Sequence, residues 1–254
     1  MNIHIQGEFA YITARGGVLL PCEGGYRIEN AIVPESGDYN AFYANTFRDV
    51  VALRRQAHRQ LEQMNDFGDF KITILDGEVP ESIDHSICHH WVSHNSNASQ
   101  GCLQRVHPDP LDYWQWYESA VRGYSDFSES WWLREQESHG IFIAQFKPVW
   151  YFKGNSVIGR LYRYDTYSFT RLFSIVVDER ERGKGYGREI IMNETAISKG
   201  PTLIRAGMTL APFYSTAGFN VEYAMAQIAE QALNRTPSAP VSFNDRRKKN
   251  EYLP

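Results

Sequence analysis

Arg182, Gly183, Lys184, Gly185, Gly187 and Arg188 lie within seven residues of one another. Glycine has no Cβ, so a backbone built from it can approach a ligand closely. The cations add charge at the same place. A helical pattern follows at once, with Ile190, Ile191 and Ala196 spaced among Glu189, Asn193, Glu194 and Lys199. A helix start presents unpaired N–H groups and partial positive charge. Glycines, cations and a helix start together suit a pyrophosphate.

The elements that must hold this loop can be read on either side. Leu172 to Val177 is an apolar, β-branched run that stops at Asp178. The order is strand, tight turn, helix. Two common phosphate motifs do not fit. The dinucleotide pattern needs a third small residue where Arg188 stands, and the nucleoside-triphosphate loop needs Ser or Thr where Gly185 stands. Arg182, Gly185 and Gly187 instead form Arg-x-x-Gly-x-Gly. This resembles the acyl-CoA loop of the GNAT superfamily, the acetyl-CoA-dependent N-acyltransferases.

A second motif lies in the order that family would require. Pro201 to Ala206 reads as a short strand, followed by Ala211-Pro212-Phe213-Tyr214-Ser215-Thr216-Ala217-Gly218-Phe219. It resembles the family's short helix, with Gly218 as the C-cap. The resemblance covers residues 102–230 and is strongest over 172–219. It implies an α+β fold: a GNAT-type mixed, mostly antiparallel twisted sheet flanked by helices. It implies acetyl-CoA as co-substrate. Gly183, Lys184, Gly185, Tyr186, Gly187 and Arg188, with Arg182, would hold the pyrophosphate. Ile175, Val176 and Val177 would meet the acyl carbonyl and pantetheine, and Tyr214 would protonate the departing thiolate.

One departure bears on the chemistry. Many members carry a glutamate general base where this chain has Arg171, and arginine is no base at ordinary pH. Asp165 and Glu137 are the carboxylates that could relay a proton; otherwise the amine must arrive deprotonated. The asparagine often found after the fifth strand is also missing, with Gly207 and Met208 in its place. Trp114, Trp116, Tyr117, Trp131 and Trp132 stand among Asp126, Glu129 and Glu135. Aromatics with carboxylates suit a cationic amine, and core packing is the alternative for each tryptophan.

At 254 residues the chain has room for one large domain or two modest ones. The expected division is an N-terminal α/β domain over 1–100, a catalytic domain over 101–235 and a flexible basic tail over 236–254. In the first part Ile3–Thr13 alternates like a strand. Tyr26–Val33 and Phe70–Leu75 read as further strands, and Phe47 to Met64 recur at helical spacing. Pro80-Glu81-Ser82 reads as a helix start. This order matches the second half of a GNAT fold without its phosphate loop, which suggests a degenerate half in a tandem arrangement. An unrelated α+β cap is the alternative.

The net charge of −4 gives no general nucleic-acid grip, and the apolar runs are too short to span a membrane. An odd number of cysteines fits a reducing, cytoplasmic setting. His85, His89, His90 and His94 have the i, i+4 spacing of helical metal ligands but no third-ligand motif. No metal is expected, and a polar helix face is the plainer reading. The partners expected are acyl-CoA and an amine acceptor, a small molecule or peptide. A homodimer is left open. The alternative function is an acyl-CoA sensor or scaffold without turnover.

Overall fold

A computed structural model describes residues 2–14, 16–30, 41–56, 71–76, 78–94, 101–108, 146–229 and 232. Glu137, the tryptophans between 114 and 132, and the tail lie outside these residues.

Helix α1 (Ile3–Ala14) opens the chain, followed by strands β1 (Val18–Cys22), β2 (Gly25–Glu29) and β3 (Phe42–Ala44). After the turn Phe47–Asp49, residues 50–56 are helical, here α2. Then come β4 (Lys71–Ile74), β5 (Ser86–Ser93), β6 (Gln104–Val106), β7 (Lys147–Lys153), β8 (Ser156–Asp165) and β9 (Thr170–Val177). Helix α3 (Tyr186–Ala196), β10 (Thr202–Ala206), α4 (Ala211–Thr216) and β11 (Asn220–Ala229) complete the order.

The eleven described strands form one mixed sheet, in the order β1-β2-β3-β4-β11-β5-β10-β9-β8-β7-β6. The strands on both sides of residue 100 share this sheet. Its pairings are palindromic. Inward from β1 they run antiparallel, antiparallel, parallel, antiparallel. Inward from β7 they run the same way. The two series meet at the antiparallel β11–β5 pair, and among the described strands β6 has no counterpart. β11, late in the chain, lies beside β4, and β5, from before residue 100, lies beside β10.

One face of the sheet carries α2, α3 and α4. Val50 and Leu53 pack on Phe42, Ile72, Ile74 and Ile228. Ile190 and Ile191 pack on Leu161, Leu172, Ile204 and Trp91. Helix α1 covers the other face, with Phe9 against Ile28, Tyr43 and Met225, and Ala10 against Leu203 and Val92.

Three expectations for the first part are corrected. The alternating run Ile3–Thr13 is helix α1, because its inward positions His4 and Glu8 are polar and find partners on the sheet. Residues 80–82 form only a turn, closed by the Ile83 N–H donating to Pro80 O at 3.0 Å. His89 and His90 sit on strand β5, so the helical ligand spacing does not apply. Among the described residues no group of three His, Cys, Asp or Glu side chains is arranged to hold a metal.

Candidate functional site

The parallel pair β9–β10 is joined only over Thr170–Thr202, Arg171–Leu203 and Leu172–Ile204. Beyond Leu172, β9 runs on to Val177 and β10 to Ala206 with no further pairing between them. The cause lies in β9 itself. Ser174 adopts φ +49°, a left-handed conformation unusual for a residue with a side chain. The register with β8 shifts there, because Phe173 faces Tyr162 and Val176 faces Arg160. Two residues of β9 thus oppose Leu161 alone. Such a bulge bends a strand and leaves backbone groups unpaired. The result is a wedge between β9 and β10, open at their C-terminal ends.

The glycine loop stands at that open end. Asp178 caps the turn Glu179–Glu181 by accepting from the Arg180 N–H at 3.1 Å. Gly183 and Gly185 have φ +78° and +83°, the left-handed region that only glycine enters freely. A Cβ at either would meet nothing within 4 Å, so both face open space. Gly185 is the N-cap of α3. Gly187 has another role. A Cβ there would lie 3.1 Å from Phe213 Cζ and 3.4 Å from Val177 Cγ2, so this glycine lets α3 pack on α4.

The neighbouring cations are anchored at one end. Arg182 Nε donates to Val177 O at 3.2 Å, and Arg188 Nε donates to Thr216 O at 2.8 Å. Lys184 pairs with Glu181 at 3.0 Å on the surface. The Tyr186 hydroxyl accepts from Lys153 Nζ at 2.6 Å, tying the β7–β8 hairpin to the start of α3.

Tyr214 lies on α4, which follows the second wall of the wedge. Its side chain is buried, with ring centroids 5.5 Å from Trp91 and 5.1 Å from Phe213. Trp91 comes from β5, the strand supplied by the first half, and its Nε1 donates to Ala206 O at 3.4 Å.

Arg171 is buried on the α1 face. Its Nη1 donates to Gly7 O at 2.7 Å and its Nη2 to Glu8 Oε2 at 3.0 Å, while its guanidinium sits 4.3 Å from the Tyr11 ring centre. Arg205 binds the other Glu8 oxygen, which Tyr43 also reaches at 3.3 Å. Burial alone would push the Glu8 carboxyl up. Arg205 and Arg171 overcome it and hold the group down at about 2. Burial lowers His90 to about 3 against the pull of Glu8. The sequence reading missed Glu8, Arg205 and Trp91, and singled out His90 only for a metal-ligand spacing. The one available signal was the i, i+4 pair His4 and Glu8 on a helix face.

Asp165 pairs with Thr170 at the far end of β9. That is roughly 15–20 Å along the strand from Ile175–Val177. Its carboxylate is taken by Arg163 at 2.8 Å and Thr170 at 2.9 Å. It is not placed to relay a proton at the wedge.

No family model and no curated protein matches this sequence. Solved structures do match. A functionally unknown conserved protein from Staphylococcus epidermidis is 11% identical, with TM-score 0.68 over 84% of this chain and 93% of that one. A GCN5-related N-acetyltransferase from Kribbella flavida is 7% identical, with TM-score 0.63 over 89% of this chain and 94% of that one. The chain has the GNAT fold. A GCN5-related glucosamine N-acetyltransferase region in a fungal multi-domain β-N-acetylglucosaminidase is 12% identical, with TM-score 0.53 over 84% of this chain and 31% of that one. In this fold β9, the glycine loop, α3 and β10 follow one another as strand, loop, helix and strand, and the bulge at Ser174 opens the wedge between the two strands.

Proposed function

We propose that this protein is an N-acyltransferase that moves an acetyl or other acyl group from acyl-CoA to a primary amine. The observation that carries the reading is the wedge between β9 and β10 with the glycine loop at its mouth. Pantetheine would enter the wedge as a missing strand and pair with backbone groups of Ile175–Val177. The pyrophosphate would lie on the N–H groups of residues 183–188, with Arg182, Lys184 and Arg188 at its edge. Residues 101–235 would carry the chemistry, and residues 1–100 would be a degenerate half that binds no CoA.

In this reading the amine nitrogen attacks the acyl carbonyl carbon. A C–N bond forms and the C–S bond breaks. Backbone N–H donors near the bulge would steady the oxyanion. The thiolate would take a proton from the Tyr214 hydroxyl, and the new amide sheds one to solvent. Glu8 is no base, because a carboxyl held at about 2 has little affinity for a proton at neutral pH. In this reading the acceptor arrives as the free amine, and kcat/KM should rise with pH along the acceptor's own titration. No helix among the described residues is long and apolar enough to cross a membrane. Cys22, Cys88 and Cys102 are free thiols, which fits a reducing cytoplasm.

The test is calorimetry with acetyl-CoA, followed by thiol release across a broad amine panel. Binding with turnover supports the enzyme. Tight binding with no turnover on any amine favours an acyl-CoA sensor, and no binding removes both readings.

A further inference from the structure

Arg160 of β8, Arg171 of β9 and Arg205 of β10 come from three neighbouring strands. Gly159 faces Ile190 of α3, since a Cβ there would lie 2.5 Å from Ile190 Cδ1. Successive residues of a strand alternate, so Arg160 points to the opposite face, the one that carries Arg171 and Arg205. Those two share the Glu8 carboxylate. Arg160 has no such partner. It is only 7% exposed, and its Nε is buried without a hydrogen bond. No ion pair reaches it among the described residues. The acid that favours its charge through space is Asp178, whose carboxylate accepts from Arg180 N at the cap of the next turn. Beside it on this face, Tyr162 stacks on Phe173 with ring centres 5.0 Å apart.

A buried guanidinium nitrogen without an acceptor is costly to keep. Arg160 stands directly across from Val176, in the bulged stretch of β9 assigned above to the acyl group. A planar guanidinium at that place matches a carboxylate or phosphate with two parallel hydrogen bonds. We propose that the acceptor is an amine that also carries an anionic group, a carboxylate or a phosphate monoester, and that Arg160 receives this group and so orients the amine toward the thioester. The inference rests on the acyltransferase reading but deepens it. It names a specificity-determining residue and the charge of the substrate.

The experiment titrates matched pairs into the protein holding saturating CoA, so that the pyrophosphate site is filled. Glycine is compared with glycinamide, and O-phosphoethanolamine with ethanolamine. In the wild type the anionic member of one pair should bind at least tenfold more tightly than its neutral partner. The pair that discriminates tells carboxylate from phosphate. Arg160→Met should erase the difference, leave CoA affinity unchanged and melt no lower than the wild type, since it removes an unpaired buried charge. Arg160→Lys should keep part of the preference, and Arg160→Gln serves if the Met variant does not fold. Equal binding within both pairs, or discrimination that survives loss of the guanidinium, overturns the proposal. If the chain binds no CoA, it is the acyltransferase reading that falls, and the same titrations without CoA still decide whether Arg160 selects an anion.

Discussion

Nη2 of Arg171 lies 3.0 Å from Oε2 of Glu8, across 163 residues of sequence. Arg171, through this pair and its bond to Gly7 O, is thus the sheet's grip on α1. Glu8→Gln would leave Arg171 and Arg205 facing a neutral amide. Breaking a buried pair in this way costs on the order of 3–5 kcal/mol, measurable by denaturant unfolding.

Acid should act through the same contact. The Glu8 carboxyl falls from 4.5 to about 2 on folding, so its contribution is full above pH 4.5 and is lost as pH falls toward 2. His90 falls from 6.5 to about 3, so its neutral form contributes above pH 6.5 and loses ground below. Stability should therefore decline from pH 6.5 and more steeply below 4.5. Glu8→Gln should remove the steeper part. A variant with the wild-type slope below pH 4.5 would show that Glu8 is not the group being protonated.

Gly185→Ala and Gly187→Val should fail in different ways. At Gly185 an alanine must hold φ +83° and point its Cβ into the open space before α3. Acetyl-CoA affinity should drop by roughly tenfold, about 1.4 kcal/mol, in a folded protein. At Gly187 a valine meets Phe213 and Val177, so stability should fall by roughly 1–3 kcal/mol. Calorimetry that finds Gly185→Ala binding like the wild type would remove the loop from the site.

Tyr214→Phe deletes only a hydroxyl from a ring held among Trp91, Phe213 and Phe219. If that hydroxyl protonates the thiolate, kcat should fall on the order of 10²-fold while acetyl-CoA affinity barely changes. An equally active variant would leave Tyr214 a packing residue.

One acetyl-CoA should bind per chain. In the first half the wedge is closed: the Leu75 N–H donates to Ala44 O at 2.8 Å, and the Asp76 N–H to Asn45 O at 2.9 Å. The helix start beyond is occupied as well. Asp49 accepts from the Thr46 N–H at 3.0 Å and from its hydroxyl at 2.8 Å, placing a carboxylate where a phosphate would lie. Two equivalents in a titration would contradict this.

The second half was largely legible from sequence because its signals are local. Leu172–Val177, the glycines and the run ending at Gly218-Phe219 each carry their own conformational cause. The wedge was not legible, since it depends on one serine at φ +49° that no composition rule marks. Helix α1 was misread because patterning assumes polar residues face water, while His4 and Glu8 face a sheet that supplies a carboxylate and two arginines. The histidines of β5 were misread for a related reason. They stand in a strand at the centre of the sheet, where neighbours on both sides cover them.

The pairings of β11 with β4 and of β5 with β10 also set an order in time. During synthesis β4 emerges with one edge bare, and its neighbour β11 follows only roughly 150 residues later. The slot beside β10 is filled in the opposite sense, by a strand already made. Trp91 must therefore wait for Ile204 and Tyr214 to arrive. Neither half can finish without the other. A fragment that starts after residue 94 would lack the strand on which the α4 tyrosine rests, and the nascent first half is the stage most exposed to wrong edge-to-edge pairing.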